Sequence, residues 1–287
     1  MGIANREYRD RLFNFLFGAE ENKEWTLSLY NAVNRSDYKD ISQIQITTIR
    51  EVLYLGMRND VSFLIADEMS LYEQQSTFNP NMPLRQLQYA GHLYEKYITE
   101  RKMNKYSTKL LMLPVPKLVV FYNGTLDRED ETSLRLSDSF PKGADADIEV
   151  KVRMININYG RSRDILAACK PLKEYAWMVE EIRNNRKETD IEEAVDKAIE
   201  AMPKDFVIKT FLDAHKAEVK GMLLTEYNEA ETMEMFREEG RAEGRAEGRA
   251  EGRAEMMMEL VKEGLVPVEV AAARAGLSED AFRKRMM

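Results

Sequence analysis

The run KLVVFYNG, residues 117–124, constrains the fold more than any other stretch of the chain. Every residue from Leu118 to Tyr122 is apolar or aromatic, so a strand here cannot turn one face to water. Such a strand belongs at the centre of a sheet, with other layers packed on both faces. Asn123-Gly124 supplies the turn chemistry that stops it. The rest of the sequence must therefore provide neighbouring strands and covering helices. VSFLIA and SLYEQQS flank Ala66-Asp67-Glu68 and read as a hairpin. Residues 42–56, rich in β-branched types, suggest a further strand, and DIEVKVRMININ another, with Ile148, Val150, Val152 and Met154 alternating with charge. RLFNFLF and WTLSLYNAV carry apolar residues at three- and four-residue spacing, with Gly18 as the break between two helices. A long helix is expected from Leu84 to about Tyr106, with Pro83 in its first turn. Helices dominate from about Ser162. This order predicts a mixed α/β domain over residues 1–220, with helices packed on a mixed sheet.

Beyond that domain the chain changes character. Residues 239–255 read EGRAEGRAEGRAEGRAE. A period of four nearly matches the helical turn, so each residue type forms its own slowly winding stripe. Like charges then face each other at i,i+4, and each Gly weakens the helix by about 1 kcal/mol relative to Ala. The segment 221–256 reads either as a solvated helical linker or as a helix that gains stability from a second copy. In the latter case the Glu stripe of one chain would meet the Arg stripe of another, giving a homodimer through the C-terminal helices. Residues 257–287 form a small helical hairpin. Ala272, Gly276 and Phe282 fit the small, turn and apolar positions of a helix-turn-helix, a pattern shared with many helical hairpins.

Composition narrows the setting. Cys169 is the single cysteine of 287 residues, which excludes an internal disulfide and predicts a reducing, cytoplasmic environment. No apolar run reaches the roughly 20 residues of a membrane span, and the charged, amphipathic start predicts no signal peptide. The net charge of -8 argues against nucleic acid, but the charges are segregated. From Arg85 to Lys117 there are seven basic residues and only two acids, Glu95 and Glu100. A basic helix carrying Arg85, Lys96, Arg101, Lys102 and Lys105 is therefore a candidate phosphate-binding surface.

The chemistry concentrates in RNDVSFLIADEMSLYEQQ. A hairpin turning at about Asp67 would place Asp60 opposite Gln74 and beside Glu73. Glu73 and Gln75 share one face, because strand side chains alternate. Two carboxylates so close repel each other unless a cation or a proton lies between them. Their hard oxygens suit Mg²⁺ or Mn²⁺. Spacing alone leaves a second reading open, since acids at the ends of a hairpin commonly serve solubility at a sheet edge. Neither His92 nor His215 has metal-ligand spacing, and no phosphate-binding glycine loop is present.

NDVSFLI followed by LYEQQSTFNPNMPLRQLQY resembles the signature of the Rpn family, the PD-(D/E)XK nuclease family transposases. The resemblance continues through KLVVFYNG, LRLSDSF and VKVRMININYGRSRDILAACKPLKEY, over roughly residues 5 to 200. It implies a restriction-endonuclease-like fold and Mg²⁺-dependent cleavage of DNA, in recombination, transposition or defence against foreign DNA. The family's motif aspartate falls on Asp60 and its motif glutamate on Glu73. Gln75 stands where the wider superfamily has lysine, as it does in the Rpn family, and would orient water without adding charge. Arg85 or Lys96 could supply the missing positive group, and Gln88, one turn from Arg85, could approach the metal. The expected function is a Mg²⁺-dependent DNA endonuclease. The alternative is a catalytically weak or inactive nuclease fold that binds DNA or drives assembly.

Overall fold

The computed structural model describes residues 12–47 and 60–286, and two compact units divide the chain, residues 1–227 and 228–287. Among the described residues of the first unit, six strands form one sheet. They are β1 (Gln45–Ile46), β2 (Asp60–Ile65), β3 (Glu68–Gln75), β4 (Val115–Tyr122), β5 (Glu131–Arg135) and β6 (Lys151–Asn156), in the order β1-β2-β3-β4-β6-β5. β3, β4 and β6 run parallel; β1–β2, β2–β3 and β5–β6 are antiparallel. The apolar run that ends at Asn123 thus becomes β4, with neighbours on both sides. The fold is mixed α/β, with a mixed sheet flanked by helices.

Alternation along the strands separates two faces. Val61, Phe63, Ile65, Tyr72, Val119, Phe121 and Ile155 turn to one side, where they pack against the main helical layer. This layer contains α1 (Leu12–Phe17), α2 (Lys23–Asn34), α4 (Arg163–Ala168), α5 (Lys170–Asn185), α6 (Ile191–Ala201) and α7 (Val207–Ala214). Phe13, Phe121, Tyr72 and Phe63 form a chain of ring contacts beneath it, with successive centroids 5.2, 5.3 and 5.2 Å apart. Leu64, Met69, Leu71, Val120, Tyr122 and Met154 turn to the other side, beneath α3 (Met82–Glu100). α3 begins with Pro83 in its first turn, where a missing N–H costs nothing, and it carries the β3-to-β4 crossover.

Several expectations shift. The long helix ends at Glu100, so Arg101, Lys102 and Lys105 lie beyond it, with Lys102 in the left-handed region at φ 52°. The strand expected over 42–56 appears as Gln45–Ile46; residues 42–43 lie instead in a 3₁₀ turn, Ile41–Gln43, capped by the Asp40 side chain, and 48–56 lie outside the described residues. Ile148 is exposed and lies before β6 rather than in it. β5, in ETSLR, has a single buried residue and so carried no readable alternation. Gly124 is dictated by crowding: a Cβ there would fall 2.2 Å from the Ser76 carbonyl oxygen and 2.5 Å from the Tyr122 hydroxyl.

The repeat is helical, within α8 (Lys216–Lys262). In the second unit α9 (Val268–Ala275) and α10 (Glu279–Met286) pack Ala271, Ala272, Ala275 and Phe282 with Ala254, Met257 and Val261. α9 stops at Gly276, whose left-handed φ of 70° lets Leu277 N–H reach back to the Ala272 carbonyl. Among the described residues no helix is long and apolar enough to cross a membrane.

Candidate metal and phosphodiester site

The hairpin turns through Ala66–Asp67, with Ala66 at φ 49°, and this fixes the register of β2 on β3. Asp60 pairs directly with Glu73, one residue from the expected Gln74 partner. The correction follows from the turn: two residues lie between Ile65 and Glu68, so paired positions sum to 133. Directly opposed residues of an antiparallel pair have Cα atoms about 4.5–5.5 Å apart. Only the backbone of Asp60 is described.

Glu73 lies on the α3 side of the sheet, between β2 and β4 and under the first turns of α3, and is 3% exposed. A buried carboxylate is costly unless it is paired and hydrogen-bonded. Two groups meet this need at one oxygen. The Gln75 amide Nε2 donates to Glu73 Oε1 at 2.6 Å, and Arg85 Nη2 lies 2.8 Å from the same atom. Gln75 reaches Glu73 because residues two apart share a strand face. Arg85 reaches it from the second turn of α3, braced by a 3.7 Å contact from Nη1 to Met82 Sδ. Glu73 and Gln75 stand near the C-terminal end of β3, beside the ends of the parallel strands β4 and β6. The C-terminal edge of parallel strands is where α/β sheets place ligands.

The donor set fits a hard divalent cation. Two carboxylates on directly opposed residues would provide two oxygen ligands, and Mg²⁺ ordinarily takes the rest from water and phosphate. Among the described residues no group of three or more His, Cys, Asp or Glu side chains forms a cage, so any ion here would rely on such outside oxygens. The guanidinium already performs part of a cation's work on Glu73.

No protein-family model, curated protein or solved structure matches the chain. The site must therefore be judged on its own residues. Arg85 stands within it. Gln88 is exposed on the next turn of α3. Lys96 lies about 16 Å further along the helix axis and Arg101 about 24 Å, by helical rise. Lys96 donates to the Thr47 carbonyl at 3.2 Å, Arg101 stacks over the Tyr97 ring, and Lys105 pairs with Glu95 at 2.7 Å. The basic residues expected to form one helical surface thus divide into Arg85 at the site and a distant group at the far end of α3.

Other polar residues of this region escape a reading by pattern. Gln74 faces the main helical layer, where its Nε2 donates to Asn123 Oδ1 at 2.6 Å. Asn123 in turn donates from Nδ2 to the Tyr175 hydroxyl at 3.3 Å. The asparagine expected only to end a strand is a buried link between β3, β4 and α5. Gln86, next to Arg85, is buried; its Nε2 donates to the Val119 carbonyl at 3.3 Å and its Oε1 has no partner among the described residues. Asn158 receives Arg183 Nη1 at 2.6 Å and donates to the Gly124 carbonyl at 3.0 Å, bracing the loop after β4. The one sequence signal for these residues is polarity at the end of an apolar run, which does not separate a buried network from a solvated turn.

Proposed function

We propose that the chain is a Mg²⁺-dependent DNA endonuclease of the restriction-endonuclease-like kind, hydrolysing phosphodiester bonds at Asp60 and Glu73. The observation that carries this reading is the direct Asp60–Glu73 backbone pair beside the C-terminal ends of the parallel strands, with Gln75 and Arg85 on the Glu73 carboxylate. Asp60 and Glu73 are the residues that would hold Mg²⁺ or Mn²⁺. When bound, such an ion polarises the phosphodiester and lowers the pKa of a coordinated water. The chain's residues have distinct tasks. Glu73 supplies a buried anion whose position is fixed from two sides. Gln75, on the same strand face, has an amide able to orient the attacking water by hydrogen bonding. It takes the place of a lysine without adding charge, and Arg85 supplies the positive group near the charge that develops on phosphate. Joining two chains through the C-terminal helices would set two such sites on one duplex, as a double-strand break requires. Light scattering on the full chain and on a chain ending at Glu226 tests this pairing.

The decisive experiment is plasmid nicking by the full chain in Mg²⁺ against EDTA, with Asp60→Asn and Glu73→Gln beside wild type. Each variant keeps the side-chain shape but loses one ligand charge, and should lose both nicking and the calorimetric signal of Mg²⁺ binding. Either variant cutting at the wild-type rate would refute the assignment. One observation favours the alternative, a nuclease-derived binding protein: Arg85 and Gln75 already compensate Glu73 without an ion. That alternative predicts DNA binding with neither nicking nor Mg²⁺ heat.

A further inference from the structure

α3 ends at Glu100, and the stretch from Arg101 to Lys117 contains five cations and no acid, in a chain whose net charge is -8. Lys105 pairs with Glu95 and Lys117 with Glu68. Among the described residues, Arg101, Lys102 and Lys109 have no acidic partner. The same loop holds large apolar side chains in water: Tyr106 is 86% exposed, Leu110 89% and Met112 77%. The backbone is shaped by its own hydrogen bonds, since Asn104 Oδ1 accepts from Tyr106 N–H at 3.0 Å and Ser107 Oγ from Lys109 N–H at 3.2 Å. At the loop's far end the Tyr94 hydroxyl donates to the Pro114 carbonyl at 2.8 Å. The apolar side chains therefore contribute nothing to the fold that holds them out. Contiguous apolar exposure of this sort marks an interaction surface.

The partner must be anionic and must also offer apolar surface. A lipid leaflet is best met by a continuous apolar face, as on an amphipathic helix. Here Leu110 to Leu113 run unbroken but on an irregular loop rather than a helix, and Ser107, Thr108 and Lys109 stand between them and Tyr106. Nucleic acid fits that mixture better. Phosphates suit the lysines, bases stack on exposed rings, and aliphatic side chains enter a minor groove and part its base steps. We propose that residues 101–113 form a second DNA contact, remote from the Asp60–Glu73 site. In it Arg101, Lys102 and Lys109 bind phosphates, while Tyr106, Leu110 and Met112 pack against bases or sugars. The choice of DNA rests on the nuclease reading. The offset along α3 of about 24 Å corresponds to roughly seven nucleotides of duplex rise. A footprint this long gives affinity without crowding the site of cleavage.

The test uses the full chain carrying Glu73→Gln, which prevents cutting, and a fluorescent 30-base-pair duplex in EDTA, read by anisotropy across salt concentrations. Lys102→Gln/Lys109→Gln should reduce the slope of log affinity against log salt by about two. Tyr106→Ser/Leu110→Ser/Met112→Ser should raise Kd about tenfold or more and leave that slope unchanged. All five side chains are exposed, so circular dichroism should show an intact fold. Unchanged affinity and slope in both variants would overturn the contact, as would loss of binding to phosphatidylglycerol vesicles with duplex binding intact. The two readings fail separately. If the loop variants bind as expected but wild type never nicks in Mg²⁺, the contact stands and the nuclease reading falls. If both loop variants bind like the parent Glu73→Gln chain, and the same loop substitutions made with Glu73 intact nick like wild type, the contact falls and the nuclease reading stands.

Discussion

Replacing Arg85 by Met removes the guanidinium beside Glu73 while keeping most of the side-chain volume. The Glu73 side chain is 4% exposed and that of Arg85 28%, so the charge left behind is the buried one. Breaking a buried ion pair from one side costs about 3–5 kcal/mol. Two features lower the figure here: Arg85 is partly solvated, and Gln75 still donates to Oε1 at 2.6 Å. The expected loss is about 2–3 kcal/mol, consistent with about 1.5–3 kcal/mol for a hydrogen bond to a charged group. For a domain of this size it corresponds to a fall in Tm of roughly 5–10 °C. Adding Glu73→Gln to the variant removes the stranded charge and should restore about 2 kcal/mol, which a double-mutant cycle by urea unfolding would read as coupling. Under the nuclease reading Mg²⁺ can take over the guanidinium's role, so millimolar Mg²⁺ should raise the Tm of Arg85→Met more than that of wild type. A loss below about 1 kcal/mol, or no coupling with Glu73→Gln, would refute the claim that Arg85 stabilises the buried carboxylate.

Three further outcomes are expected. Gln75→Ala should slow single-turnover nicking far more than it weakens DNA binding, and Gln75→Lys should retain activity; loss of binding with an unchanged rate would make Gln75 a substrate contact instead. Arg153 holds the Glu131 carboxyl below its ordinary value by a bidentate ion pair, with Arg153 Nε and Nη2 at 2.6 and 2.7 Å from the two carboxylate oxygens. A depressed carboxyl pKa contributes stability that is present above the ordinary value of 4.5 and lost as pH falls through the folded one, so the Tm gap between wild type and Glu131→Gln should close in acid. The pair is half exposed, so the gap at neutral pH should be small, about 0.5–1 kcal/mol, and a gap that widens in acid would contradict the pairing. Burial pushes the Cys169 thiol up to about 11, so iodoacetamide at pH 8 should label only unfolded chain, and labelling at the rate of a free thiol under native conditions would contradict the buried placement.

The layers are legible in the residues themselves. Five consecutive apolar residues before Asn123 required a central strand, alternation about a short turn near Asp67 required a hairpin, and three- and four-residue spacing required the covering helices. Each is a local property, set by side-chain periodicity against a hydrophobic core, and so each can be read along one dimension. Asp60, Glu73 and Gln75 were legible as a group for the same reason, since one hairpin brings them together. The tertiary structure alone decided what depends on neighbours distant in the chain. The turn fixed a one-residue difference in register that pairs Asp60 with Glu73 and turns Gln74 to the opposite face. The packing of α3 on the sheet chose Arg85 as the partner of Glu73, and the helix ends at Glu100, which separates Arg101, Lys102 and Lys105 from the site. Asn123 and Gln86 are buried because other elements close over them, and β5 is a strand because β6 offers it an edge. Hydrogen bonds and ion pairs of this kind are short-ranged in space but not in sequence, so no spacing rule along the chain could announce them.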